Sequence, residues 1–421
     1  MSKKETICVQ GNYKPGSGEA RVVPIHQSTT FKYDELDQLA DLFDLKASGH
    51  FYSRLSNPTV QALEEKINLL ESGVGALAAS SGQAANLLAI LNICQAGDNF
   101  LCSSKVYGGS INLFGHTFKK LGIEIKRFDL DDEADKIIAL ADENTKAIFG
   151  ETLANPTLEV LDLEKIVSIA RTIDVPVIID NTLASPYLCN PIEYGVNIVT
   201  HSTTKYLDGH AAAMGGIVVD GGNFNWDNGK FKELVDPDPS YHGLSYTETF
   251  QQAAFITKAR VQLIRDHGNC QSPFNAFLTN QNIETLHLRM ERHSTNALSI
   301  ANFLQEHKNI DSVNYPGLEG NKYYDNAKKY LPKGASGVLS FNVKGGIENA
   351  KKFVSKLKVA ALVTHVADVR TSVIHPASTT HRQLSEKELI DVGIHPSLIR
   401  LSVGIENVDD LIADLDQALK F

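Results

Sequence analysis

Cysteine is scarce in this chain, with five in 421 residues: Cys8, Cys94, Cys102, Cys189 and Cys270. Their number is odd and no two form a C-x-x-C pair, which argues against a disulfide framework and a cysteine-rich zinc site. A cytoplasmic protein with mostly buried, reduced thiols is expected. No uninterrupted apolar run reaches the roughly 18 residues of a bilayer span. The opening segment, MSKKETICVQGNY, has no apolar core of about 7–15 residues such as a secretory signal carries. Cationic residues are also short. With 40 Lys and Arg against 50 Asp and Glu, the net charge is −10, and neither nucleic acid nor an anionic membrane is an expected partner. H-E-x-x-H, G-x-S-x-G and G-x-x-x-x-G-K-[ST] are all missing, which excludes the common zinc-protease, serine-hydrolase and P-loop readings. His365, His375 and His381 lie near one another without a ligand spacing, so no metal is expected.

What remains is an ordinary globular composition, 43% hydrophobic and 21% charged, in a chain long enough for two domains. Between about residues 57 and 220, strand-like runs alternate with helical periods. NPTVQALEEKINLLE offers Asn57 as N-cap and Pro58 at the first helical position. SSGQAANLLAILNIC opens a helix at a glycine. DNFLCS, IEIKRF, KAIFGET, VPVIID and VNIVTHS read as strands. The alternation predicts an α/β fold, a mostly parallel sheet covered on both faces, with ligands at the carboxyl ends of its strands. Residues 221–255 lose the rhythm and read as a structured excursion. SVNYP, GVLSFNV, LIRLSVG and the helical NVDDLIADLDQALKF predict a smaller C-terminal α/β domain. The expected division is an N-terminal arm over 1–56 that packs on another subunit, a large domain over 57–258 and a small domain over 259–421.

The unusual residues gather at one end of the expected sheet. Lys205, in HSTTKYLDGH, follows VNIVT by a few residues and so emerges at a strand's carboxyl end. Asp180 ends the preceding strand. Ser81, Gly82 and Gln83 open a helix whose free N–H groups and dipole favour an anion. Ser202 and Thr204 place hydroxyls just before the lysine. Each alone has a bland reading, as solvated lysine, turn aspartate or ordinary helix start. Together they suit pyridoxal phosphate, which needs a lysine for its aldehyde, an anion site for its phosphate and a carboxylate beside its ring nitrogen. A carboxylate ~4 Å from that nitrogen is worth roughly 4 kcal/mol at an effective dielectric near 20. Tyr107, in KVYGGS, follows a strand and can stack on the ring.

VIIDNT, HSTTKYLDGH, SSGQAAN, VYGGSINLF, HFYSRLSNPT, ETLANPT, VIHPASTTH and LIRLSVGIEN stand in the order of the Cys/Met-metabolism enzymes that depend on pyridoxal phosphate, and nearly the whole chain resembles that family. The resemblance implies the aspartate-aminotransferase-like fold type I of such transferases. It makes Lys205 the cofactor lysine, Asp180 the partner of the ring nitrogen and Tyr107 the stacking ring that shares proton transfers. Ser81, Gly82, Gln83, Ser202 and Thr204 then form the phosphate site. Tyr52 and Arg54 match the pair that reaches a neighbouring subunit's cofactor phosphate, which implies a homotetramer built from active-site-sharing dimers. Arg400 matches the arginine that clamps a substrate α-carboxylate, and Asn155 the asparagine beside cofactor and carboxylate.

Within the family, γ-lyases carry a cysteine two residues after the stacking tyrosine, where this chain has Gly109. YGGSINLF and DPDPSYHGLSYTETF resemble the branch that replaces the acetate of O-acetyl-L-homoserine by sulfide or methanethiol in methionine biosynthesis. A methionine or cystathionine γ-lyase and a cystathionine γ-synthase are the competing readings. The loop VTHVADVRTSVIHP departs from the family pattern. Thr364 and Asp368 are both candidates to assist the carboxylate clamp there, and Arg370 is a candidate anion contact.

Overall fold

The computed structural model describes residues 2–11, 13–380, 382, 389 and 394–420. Helix α1 (Lys4–Gln10) and helix α2 (Leu36–Phe43) precede helix α3 (Pro58–Glu71), which starts as its sequence dictates. The Asn57 side chain accepts from the Thr59 amide at 3.0 Å, and Pro58 occupies the first turn. Seven strands then build the first sheet: β1 (Gly75–Ala79), β2 (Asn99–Ser103), β3 (Glu124–Phe128), β4 (Thr145–Glu151), β5 (Val177–Asp180), β6 (Ile198–His201) and β7 (Gly216–Asp220). Their order is β1-β7-β6-β5-β4-β2-β3. Pairings from β3 to β6 are parallel, whereas β7 runs antiparallel to both β6 and β1.

Consecutive strand residues face opposite sides of the sheet. Ile178, Ile198 and Val218 enter one apolar cluster, while their neighbours Ile179, Val199 and Val219 enter the other. Both faces are therefore covered, as the near-continuous apolar runs require. Residues 221–255 wall one of these clusters with Trp226, Phe231, Leu234 and Tyr246. Trp226 stacks on Phe255 with centroids 5.2 Å apart.

A second sheet is formed by β8 (Ile310–Asn314), β9 (Val338–Val343), β10 (Ala361–Leu362), β11 (Ser372–Ile374) and β12 (Leu398–Ser402), in the order β10-β11-β12-β9-β8. The long helix Leu286–Glu306 and the helix Val408–Ala418 pack together beside it. We propose to divide the chain between the two sheets near residue 258. The start of the N-terminal segment packs on the body of the chain. Cys8 of α1 is fully buried in the main apolar cluster, and the Lys4 ammonium donates to the Pro186 carbonyl. Farther along the segment Val23 and Leu42 are also buried, whereas Leu36 is 85% exposed.

Candidate active site

Helix α4 (Gly82–Leu91) starts directly after β1, with the Ser81 hydroxyl accepting from the Ala84 amide at 3.1 Å. A Cβ added at Gly82 would lie 2.6 Å from the Ser202 Cβ and 2.9 Å from its Cα. The helix start and the lysine turn are thus pressed together, and Gly82 is the residue that permits it. The amide oxygen of Gln83 is buried beside them without a partner. Replacing Gly82 by alanine pushes on backbone that cannot yield and costs about 1–3 kcal/mol by overpacking. We expect the G82A protein to retain pyridoxal phosphate at least tenfold more weakly in equilibrium dialysis.

The lysine turn leaves the end of β6. The Lys205 amide donates to the Ser202 carbonyl at 3.2 Å, and the Gly209 amide to the Lys205 carbonyl at 2.7 Å. Thr204 is tied to Gly215, its hydroxyl donating to the carbonyl at 3.2 Å and accepting from the amide at 3.1 Å. The Lys205 Nζ lies 3.3 Å from the Nδ1 of His365. Burial, and then the nearby Arg400 cation, bring the lysine down to about 8. At neutral pH roughly one amine in ten is then unprotonated. The sign is fixed by the charge: the neutral amine increases as pH rises through about 8. The rate at which cofactor-free protein captures pyridoxal phosphate into its visible band should rise with that midpoint, and an R400M protein should show it shifted upward.

Parallel register sets Glu151, Asp180 and Thr200 side by side at the carboxyl ends of β4, β5 and β6. Asp180 Oδ1 accepts from the amide and hydroxyl of Thr182, and Oδ2 accepts from the Asn86 amide at 3.4 Å. Thr200 in turn donates to Asn86 Oδ1 at 2.6 Å. Glu151 Oε1 accepts from the Tyr107 amide at 2.6 Å. Tyr107 is 52% exposed and directly precedes helix α5 (Gly108–Asn112). A Cβ at Gly109 would stand 2.4 Å from the Tyr107 ring and 2.7 Å from the Gln83 amide nitrogen, so the ring lies where a larger residue 109 would be.

Arg400, on β12, is buried. Its Nη1 donates to Asn155 Oδ1 and its Nη2 to the His365 carbonyl, both at 3.3 Å. Its Nε is buried without a partner, and burial holds the guanidinium down to about 10. An unmatched buried cation of this kind fits a carboxylate. The loop after β10 carries the sequence-based candidates for the clamp. Asp368 and Arg370 satisfy each other, with Nη2 to Oδ2 at 2.9 Å, and Arg370 also donates to the His210 carbonyl at 2.8 Å. Thr364 is exposed. His365 is the loop residue beside both Lys205 and Arg400. Of the histidines near one another in sequence, His375 bonds Pro396 and Ser378, and His381 lies outside the described residues. No group of three metal-ligating side chains occurs among the described residues.

Tyr52 and Arg54 are both exposed, with the guanidinium 5.2 Å over the tyrosine ring. Arg54 donates to the Arg265 carbonyl. Among the described residues no hydrogen bond or ion pair joins either of them to the Lys205 cluster.

The residues present fit pyridoxal phosphate: a desolvated lysine amine, a carboxylate at the end of the neighbouring strand, an anion-ready helix start and a ring to stack. The sequence profile of the Cys/Met metabolism PLP-dependent enzymes matches residues 5–420. The chain belongs to this family. It is accordingly a pyridoxal-phosphate enzyme of fold type I. The chain is 48% identical to the O-acetyl-L-homoserine sulfhydrylase of Leptospira meyeri over 428 residues, 99% of this chain and 97% of that protein. It is 44% identical to O-acetyl-L-homoserine sulfhydrylase 1 of Thermus thermophilus, with 99% of each covered. The homocysteine synthase of Schizosaccharomyces pombe is 43% identical, over 99% of this chain and 98% of that protein. A crystal structure assigned as a candidate O-acetylhomoserine (thiol)-lyase of Campylobacter jejuni superposes with a TM-score of 0.96, at 42% identity and full coverage of both chains. It carries N'-pyridoxyl-lysine-5'-monophosphate at position 205, the number of the lysine here.

Proposed function

We propose that this family member catalyses γ-replacement, converting O-acetyl-L-homoserine and sulfide to L-homocysteine and acetate, with methanethiol as an alternative acceptor that yields methionine. The observation that carries this reading is the full-length likeness to relatives named for that reaction. Gly109 supports it against a γ-lyase, because it stands where the γ-lyases of this family carry a cysteine.

In this reading Arg400 and Asn155 hold the α-carboxylate of the substrate, the buried Nε of Arg400 finding its partner there. That fixes Cα near Lys205. The bound cofactor supplies an electron sink, with its ring nitrogen facing Asp180 and its phosphate at Ser81, Gly82, Gln83, Ser202 and Thr204. Lys205, brought down to about 8, is neutral often enough to take the Cα proton at Nζ and to return it. Tyr107 closes the exposed side and shares the proton transfers around Cβ while acetate leaves Cγ and hydrosulfide enters there.

Tyr52 and Arg54 would complete the phosphate site of a neighbouring subunit, in a tetramer of such dimers. Their exposure and their separation from the Lys205 cluster support this. Sedimentation of the purified protein gives the subunit number directly. Its five cysteines, all free and four of them buried, support a cytoplasmic location.

The deciding assay supplies O-acetylhomoserine with and without sulfide and follows homocysteine and 2-oxobutyrate. Homocysteine that depends on sulfide, with little 2-oxobutyrate, is expected. Abundant 2-oxobutyrate from methionine or homocysteine alone would replace this reading by a γ-lyase.

A further inference from the structure

We infer that Glu151 is a further positioning residue of this site: its carboxyl, acting as a hydrogen-bond acceptor, fixes Tyr107 at the start of α5 and thereby sets the ring that covers the cofactor. The inference rests on the reading of Tyr107 as the stacking residue. Little else restrains Tyr107 from the sheet side. No side chain caps α5 at Tyr107, two glycines follow it, and it is half exposed. Among the described residues its carbonyl accepts only from within its own helix, from the Ile111 amide at 3.0 Å. The 2.6 Å bond from its amide to Glu151 Oε1 ties the tyrosine to a strand in the middle of the sheet.

The setting of Glu151 is buried and anionic. Burial and the neighbouring Asp180 carboxyl push Glu151 well above the usual carboxylate range. The titratable groups that face it are Asp180 on β5 and the buried thiol of Cys102 on β2, and among the described residues no cation is paired with it. In either protonation state the carboxyl offers an oxygen to the Tyr107 N–H.

The test compares E151Q, which keeps an acceptor of the same length and no charge, with E151M, which keeps the length and loses the acceptor. E151S, too short to reach Tyr107, replaces E151M if that protein does not accumulate. Visible circular dichroism of the cofactor-loaded protein, recorded without substrate, reports the asymmetric contact of the ring; kcat and KM are measured separately. We expect E151M to change the dichroic band and to lower kcat about tenfold, as a sub-ångström misplacement does, with E151Q rescuing both to within about threefold. A wild-type band and kcat in E151M, or an E151Q as impaired as E151M, would overturn the inference. The dichroism arm stands even if wild-type protein fails to use O-acetylhomoserine, which would sink the proposed reaction and not this role.

Discussion

Replacing Lys205 by alanine is expected to abolish the visible band of lysine-bound pyridoxal phosphate and to lower γ-replacement by roughly 10³-fold or more. Two functions are lost at once, covalent retention of the cofactor and the base at Cα, and a positioned base alone is worth about 10²–10⁴. The turn itself should survive, because it is held by backbone bonds from Lys205 to Ser202 and from Gly209 to Lys205. Removing a half-buried amine with no ion pair among the described residues should leave Tm within a few degrees of wild type. Absorbance and differential scanning calorimetry on one preparation check both halves. An intact visible band in the K205A protein would remove the assignment.

Asp180→Asn is the second large effect. Its carboxylate opposite a cationic ring nitrogen is worth roughly 4 kcal/mol, or about three pKa units, and the amide forfeits this. The amide is also poorly matched locally. Its oxygen would take the Thr182 amide at 3.0 Å, which turns its NH₂ toward the donating amide of Asn86. We expect kcat to fall about 10²–10³-fold, with cofactor content nearly unchanged by absorbance after denaturation in alkali. A kcat within tenfold of wild type would mean that another group holds the ring proton.

Much of this was legible in the sequence because the residues concerned announce themselves locally. Strands β5 and β6 are apolar, largely β-branched runs, β2 and β4 carry apolar centres, and α3 and α4 carry their caps in the adjacent residues. Lys205, Asp180 and Gly82 stand at the carboxyl end of the sheet, where a parallel architecture places ligands. Other features depend on pairing that no local pattern encodes. The strands β1, GALAA, and β7, GIVVD, were not anticipated; the first has alanine and glycine where strand-formers are usual. Glu151 sits inside a recognised motif, yet its burial beside Asp180 follows only from the β4–β5 register. His365 is 160 residues from Lys205 and reads as an ordinary loop histidine until the two sheets are brought together.

The reversed strand β7 has a consequence for synthesis of the chain. Among the described residues β1 pairs with no strand but β7, and the Ser81–Gly82 turn hangs directly on the end of β1. A nascent chain that has emerged only as far as Lys205 holds the parallel strands but has no partner for β1. The phosphate cradle therefore cannot be assembled until residue 220 has left the ribosome, and such distant strand pairing is slow to close. Cofactor capture, on this topology, is an event of the finished sheet.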